Sequence, residues 1–143
     1  MLHRIKKQDD YNHDKWVGVG GKFERFGSPE DCLLREVLEE TGLTLTRWRC
    51  RGLLTFVWGN MTEFIHLYTA DRFTGTLAAD CREGVLRWVA REDIDRLPTW
   101  EGDRLFLRRL RDDPPDAKPF SLKLRYENDK LIAHRFFGEE ETP

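Results

Sequence analysis

Three glutamates, Glu36, Glu39 and Glu40, crowd one turn of a segment whose start and stop are both spelled out in the sequence. Ser28 is placed to cap a helix N-terminus, Pro29 fits the first helical position, Asp31 completes a capping box and Gly42 supplies the stop. At about 100° per residue, Leu33, Leu34, Val37, Leu38 and Thr41 share one arc, while Arg35, Glu36, Glu39 and Glu40 fill the opposite one. A core face and an acidic face are therefore expected. A solvated acidic face is the plain structural reading of such a pattern, and spacing alone does not choose between that and a site. Exposed like charges at i,i+4 repel by a few tenths of a kcal/mol per pair, so the helix gains from a cation among them. Hard carboxylate oxygens suit Mg²⁺ or Mn²⁺, which bridge carboxylates to substrate phosphates. Just upstream, Gly20 and Gly21 permit close backbone approach, and Lys22 is placed to meet a phosphate as a point charge.

The elements that must position this cluster come from a chain of 143 residues, enough for a single domain with a core. Apolar residues make up 39 % and charged ones 35 %, with a net charge of −2, so no polybasic surface for nucleic-acid polymers or anionic membrane is indicated. Cys32, Cys50 and Cys81 are scattered and odd in number, which argues against a disulfide framework or a zinc site and points to a reducing cytoplasm. No apolar run approaches the roughly 18 residues of a membrane-spanning helix.

Along the chain, Met1–Lys7 reads as the end of a strand and Trp16–Gly20 as a short strand entering the glycines. Leu43–Trp48 and Gly52–Trp58, a turn at Gly59-Asn60, and Thr62–Phe73 read as a hairpin. Leu86–Ala90 reads as a strand, Arg91–Leu97 as a short helix stopped by Pro98, and Trp100–Arg111 as a second long helix. Ser121–Tyr126 and Lys130–Phe137 form a last hairpin, with a mobile tail expected over Gly138–Pro143. The predicted class is α+β, a mixed sheet between helices.

The stretch from Gly21 to Leu43 resembles the Nudix box, G-x5-E-x7-R-E-U-x-E-E-x-G-U, where U is a bulky aliphatic. Arg35-Glu36-Val37-Leu38-Glu39-Glu40-Thr41-Gly42-Leu43 fills its second half without a mismatch. One position departs: the glutamate expected at 27 is Gly27, with Arg25-Phe26-Gly27 where the family usually reads something like Glu-Gly-Glu. That glutamate braces the loop against the helix arginine in the family, so Arg35 is expected to lose its partner and metal chemistry to be weakened rather than abolished. Over most of 1–137 the chain is further similar to the MutT-like branch that hydrolyses oxidised purine nucleoside triphosphates. The resemblance runs through Gly-Val-Gly-Gly-Lys, Phe73-Thr74-Gly75, Arg87-Trp88-Val89 and Trp100-Glu101-Gly102-Asp103.

The resemblance implies an α/β/α sandwich and attack by water on the β-phosphorus, releasing a monophosphate and pyrophosphate. It implies that Glu36, Glu39, Glu40, Glu83 and the Gly20 carbonyl hold Mg²⁺, with Mn²⁺ as a substitute. Either Glu40 or Glu83, then Glu36, takes the proton of water, and Arg35 supports them. Taken alone, Glu83 beside Arg82 reads as a solvated loop residue. Trp100 and Asp103 match the residues that stack on and hydrogen-bond the purine, and Phe56, Trp58 and Tyr11 offer further walls; Phe56 and Trp58, two apart on a strand, read equally as core. Val17 stands where some relatives carry an amide that contacts the base, so low purine selectivity is expected. Relative to the family, roughly a dozen residues and a first strand are expected to be missing before Met1. The expected partner is a small nucleotide, handled by a monomer or homodimer. The alternatives are a Nudix hydrolase for another nucleoside diphosphate derivative, or a weakly active or inert nucleotide-binding module.

Overall fold

The structure, a computed structural model, describes residues 1–139, so of the expected tail only Gly138 and Glu139 fall within it. Two compact units are distinguished, Met1–Trp48 with Ala70–Trp100, and Arg49–Thr69 with the chain from Glu101 on. No helix among the described residues is long and apolar enough to cross a membrane.

In the first unit, β1 (Leu2–Arg4) lies between β2 (Trp16–Val17) and β5 (Gly84–Leu86) and is antiparallel to both. The segment read as the end of a strand is thus the middle of a sheet, with Leu2 only 1 % exposed. β5 stops at Leu86 rather than running to Ala90. Leu2 pairs with Leu86, and the mutual bonds of Met1 and Arg87 close the ladder, leaving Trp88 exposed and stacked on Phe73. Helix α1 (Pro29–Thr41) has the expected ends: Ser28 and Asp31 exchange both capping-box bonds, and Gly42 closes it at φ 77°.

The buried face of α1 differs from the expected arc. Cys32, Val37 and Thr41 are buried, whereas Leu38 is half-exposed. Cys32 is covered because the loop before the helix folds back over its first turns, placing the Gly21 carbonyl 3.5 Å from Cys32 Sγ.

The long strands β3 (Thr44–Trp58) and β4 (Met61–Thr74) contribute residues to both units, and β3 is continuous where two pieces were expected. In the second unit β3 pairs in parallel with β6 (Phe120–Glu127), which pairs antiparallel with β7 (Lys130–Phe137). The sheet, ordered β4-β3-β6-β7, is mixed, and the α+β class holds. Alternation along β6 buries Phe120, Leu122, Leu124 and Tyr126 and exposes Lys123, Arg125 and Glu127.

Helix α2 (Asp103–Asp112) begins three residues later than expected. The buried Tyr126 hydroxyl accepts the Gly102 amide at 2.7 Å, and a Cβ at Gly102 would fall 2.6 Å from that oxygen. Trp100, meanwhile, is buried in the first unit.

Candidate active site

Glu40 is the most perturbed carboxylate of the acidic helix. It is half-buried, and its Oε2 is enclosed with no hydrogen-bond partner. Burial, then the charges of Glu83 and Glu36, push the carboxyl up to about 7; a backbone hydrogen bond from Gly20 and the charge of Arg4 act in the opposite sense. Glu36 lies one turn earlier against the glycine loop, where a Cβ on Gly21 would sit 2.2 Å from its carboxyl carbon. A side chain at position 21 would displace the Glu36 carboxylate from the loop. Glu39 is exposed on the same helix.

Two arginines flank this group. Arg35 donates to the Lys22 carbonyl at 2.9 Å and lies 3.4 Å from both Glu24 and Glu36. Despite Gly27, therefore, the helix arginine is not left without an acidic brace, because Glu24 reaches it from three residues earlier. The Lys22 side chain is exposed. On the other side Arg4 donates to Glu83 Oε2 at 2.8 Å and to Asp10 Oδ2 at 2.6 Å. Burial alone would raise the Asp10 carboxyl, but the bonds from Arg4 and the Asn12 amide bring it below its ordinary value.

The residues expected to meet a base divide between the units. In the first, the Tyr11 and Trp100 rings are 6.3 Å apart. Trp100 is 6 % exposed, donates its indole N–H to Asn12 Oδ1 at 2.7 Å, and lies under the Lys15 ammonium at 4.3 Å. In the second, half-buried Phe56 packs 5.1 Å from Tyr126, while Trp58 lines an open cavity of about 450 Å³ with Asn60, Met61, Glu127 and Asn128. Asp103 opens α2 in that unit.

Sequence reasoning passed over Arg4, Asp10, Asn12 and Glu24. For Arg4 a signal existed, a charge two residues from Leu2 on the same face of a strand. For Asp10 it was the Asp-x-Asn spacing, since Asn12 donates its amide to Asp10 Oδ1 in an Asx turn.

Among the described residues, no three acidic, histidine or cysteine side chains converge as a ready ligand set. Glu83 is turned to Arg4 and Glu36 to Arg35. The residues nonetheless fit a divalent cation in kind: an orphaned carboxylate oxygen on Glu40, two carboxylates close enough to raise its pKa, and a cradle at Gly21 that a Cβ would fill. Glu36 meets Arg35 through Oε1 and Glu83 meets Arg4 through Oε2, so each would offer its other oxygen to an ion.

The NUDIX domain model matches residues 1–110. The chain belongs to the NUDIX domain family. It is 33 % identical over 93 residues to the Nudix hydrolase YvcI of Bacillus subtilis, covering 62 % of this chain and 59 % of that protein. To the oxidized purine nucleoside triphosphate hydrolase of Danio rerio it is 32 % identical over 105 residues, covering 70 % and 65 %. The Mus musculus protein of the same description matches at 28 % over 138 residues, 95 % of this chain and 78 % of that one. This Nudix chain thus aligns with somewhat less than two thirds of the first two relatives' lengths. The MutT crystal structure from Bacillus halodurans superposes with a TM-score of 0.83 at 21 % identity, covering 97 % of this chain and 89 % of that one, which gives the fold. The expected MutT-like branch stands.

Proposed function

We propose that this Nudix chain hydrolyses purine nucleoside triphosphates, oxidised ones included, to monophosphate and pyrophosphate with the aid of Mg²⁺ or Mn²⁺. The observation that carries the reading is Glu40, an acidic-helix carboxyl held near neutrality with an unsatisfied oxygen beside Glu36 and Glu83. A bound cation would neutralise charge building on the phosphate oxygens. Glu36, Glu40 and Glu83 would hold it, joined by Glu39 and the Gly20 carbonyl.

The general base need only lie near the attacking water and be ionised. Glu40 suits that role, with Glu83 as its competitor. Lys22, exposed at the mouth of the glycine loop, meets an outer phosphate. Tyr11 and Trp100 would meet the base from the unit that carries the acidic helix, with Trp100 held in place by Asn12. The relatives described as oxidized purine nucleoside triphosphate hydrolases favour this substrate class. Val17 offers no amide, so discrimination among purines should be low.

The test is chromatographic separation of the products formed from 8-oxo-dGTP, dGTP, ADP-ribose and a diadenosine polyphosphate, with and without Mg²⁺. Mg²⁺-dependent release of pyrophosphate from the triphosphates is expected, with 8-oxo-dGTP at most modestly ahead of dGTP. If the triphosphates are cleaved no faster than ADP-ribose and the diadenosine polyphosphate, the reading narrows to a Nudix hydrolase of another nucleoside diphosphate derivative. A second reading, a nucleotide-binding module, is favoured by the pairing of Glu36 and Glu83 with arginines. Binding without turnover would select it.

A further inference from the structure

Glu83 is fixed at both its backbone and its side chain. Its carbonyl accepts the amides of Ile5 and Lys6, each at 3.2 Å. The next residue, Gly84, pairs with Arg4 in β1 so closely that an added Cβ would fall 1.8 Å from the His3 carbonyl oxygen. From the side-chain end, Arg4 Nη1 donates to Glu83 Oε2 at 2.8 Å. The same guanidinium donates through Nε to Asp10 Oδ2 at 2.6 Å.

The connection continues beyond Asp10. Its Oδ1 accepts the Asn12 amide at 3.1 Å, and Asn12 Oδ1 accepts the Trp100 indole N–H at 2.7 Å. An unbroken run from Glu83 through Arg4, Asp10 and Asn12 therefore joins the carboxylate proposed for chemistry to the tryptophan proposed for the base side. Tyr11 sits in the same turn and lines, with Arg4, Lys7 and Asp10, an open cavity of about 510 Å³. Whatever fills that cavity touches this loop.

These bonds are sheltered. The side chains of Arg4, Asp10 and Glu83 are 18 %, 6 % and 26 % exposed. A guanidinium is a planar fork that holds two carboxylates at a set angle, which a lysine ammonium cannot reproduce. Partial burial strengthens the directional preference, because a carboxylate that leaves the fork finds little water to replace it.

We propose that Arg4 is a positioning residue: it sets the orientation of the Glu83 carboxylate and ties it to the Asp10–Asn12 turn, so that ordering beside Trp100 is felt at Glu83. The consequence for turnover rests on the hydrolase reading above; the coupling itself does not.

The full chain is compared as wild type, Arg4→Gln, Arg4→Lys, Glu83→Gln and the double variant Arg4→Gln/Glu83→Gln. Arg4→Gln should lower kcat about tenfold or more with little change in KM, as expected when a reacting group is misplaced. Arg4→Lys should restore part of it, and the double variant should be no slower than Glu83→Gln. Equal losses from Arg4→Gln in both backgrounds, or a loss confined to KM, would overturn the proposal. Independently of turnover, amide hydrogen exchange of the metal-free protein reads the Asn12 N–H. Exchange should quicken in Arg4→Gln and in Glu83→Gln alike; an unchanged Asn12 in Glu83→Gln would overturn the coupling. An inactive wild type with quickened Asn12 exchange in both variants would end the hydrolase reading and uphold the coupling.

Discussion

Arg4 and Arg35 each face two acidic partners, yet the two sites are built differently. Around Arg4 the contacts are 2.6 and 2.8 Å, and Asp10 and Glu83 are 6 % and 26 % exposed. Around Arg35 both carboxylate contacts are 3.4 Å, and Glu24 is 68 % exposed. The first arrangement is enclosed and strict, so its geometry is inherited from strand β1. The second is loose and screened by water, so it braces the glycine loop without fixing it. The loop also carries strain: Phe26 is 93 % exposed with φ at 66°, a left-handed conformation that favours glycine. In the family pattern the middle residue of that triplet is glycine. The difference suggests that the Glu83 side of the site is preorganised while the box side adapts.

The largest effect that separates the two should come from Arg4→Ala. It strands two sheltered carboxylates, and removing one partner of such a pair costs about 3 kcal/mol. Urea unfolding at neutral pH measures it. A loss no greater than that of an exposed pair would erase the contrast. Phe26→Gly should act in the opposite direction, raising stability by about 1 kcal/mol through relief of the left-handed backbone. A destabilised variant would mean that the Phe26 ring holds the loop in place. The smallest effect is expected for Glu24→Gln, less than about 0.5 kcal/mol and fading in high salt. If Glu24→Gln costs as much as Arg4→Ala, the box loop is as rigid as the β1 side.

Local signals carried much of the fold. The ends of α1 were legible because Ser28, Asp31 and Gly42 act through neighbours three or four residues away, and β6 because its alternation is strict. What was not legible depends on distant segments. The Arg4–Glu83 pair spans 79 residues. Cys32 is buried because a loop covers it, not because of its place in the helical arc. The start of α2 is set by a hydroxyl from β6 taking the Gly102 amide. Gly27 was the departure that spacing exposed, but the substitute brace at Glu24 depends on how the loop turns back.

The proton on Glu40 bears on the metal directly. Its folded pKa, about 7, lies above the ordinary 4.5, so in the metal-free chain Glu40 favours the folded state at low pH. That contribution is fully present below 4.5 and is lost as pH rises through about 7. A divalent cation that needs the ionised carboxylate must displace the proton, and its affinity should fall by up to about tenfold per pH unit below that point. Binding of Mn²⁺ to the substrate-free protein, followed by electron paramagnetic resonance from about pH 5.5 to 8 in wild type and Glu40→Gln, tests this. The expected result is wild-type binding that tightens through about pH 7, with weaker and nearly pH-independent binding in the variant. Equally tight binding in Glu40→Gln, or no binding to the wild type at any pH, would contradict a metal site built on the acidic helix.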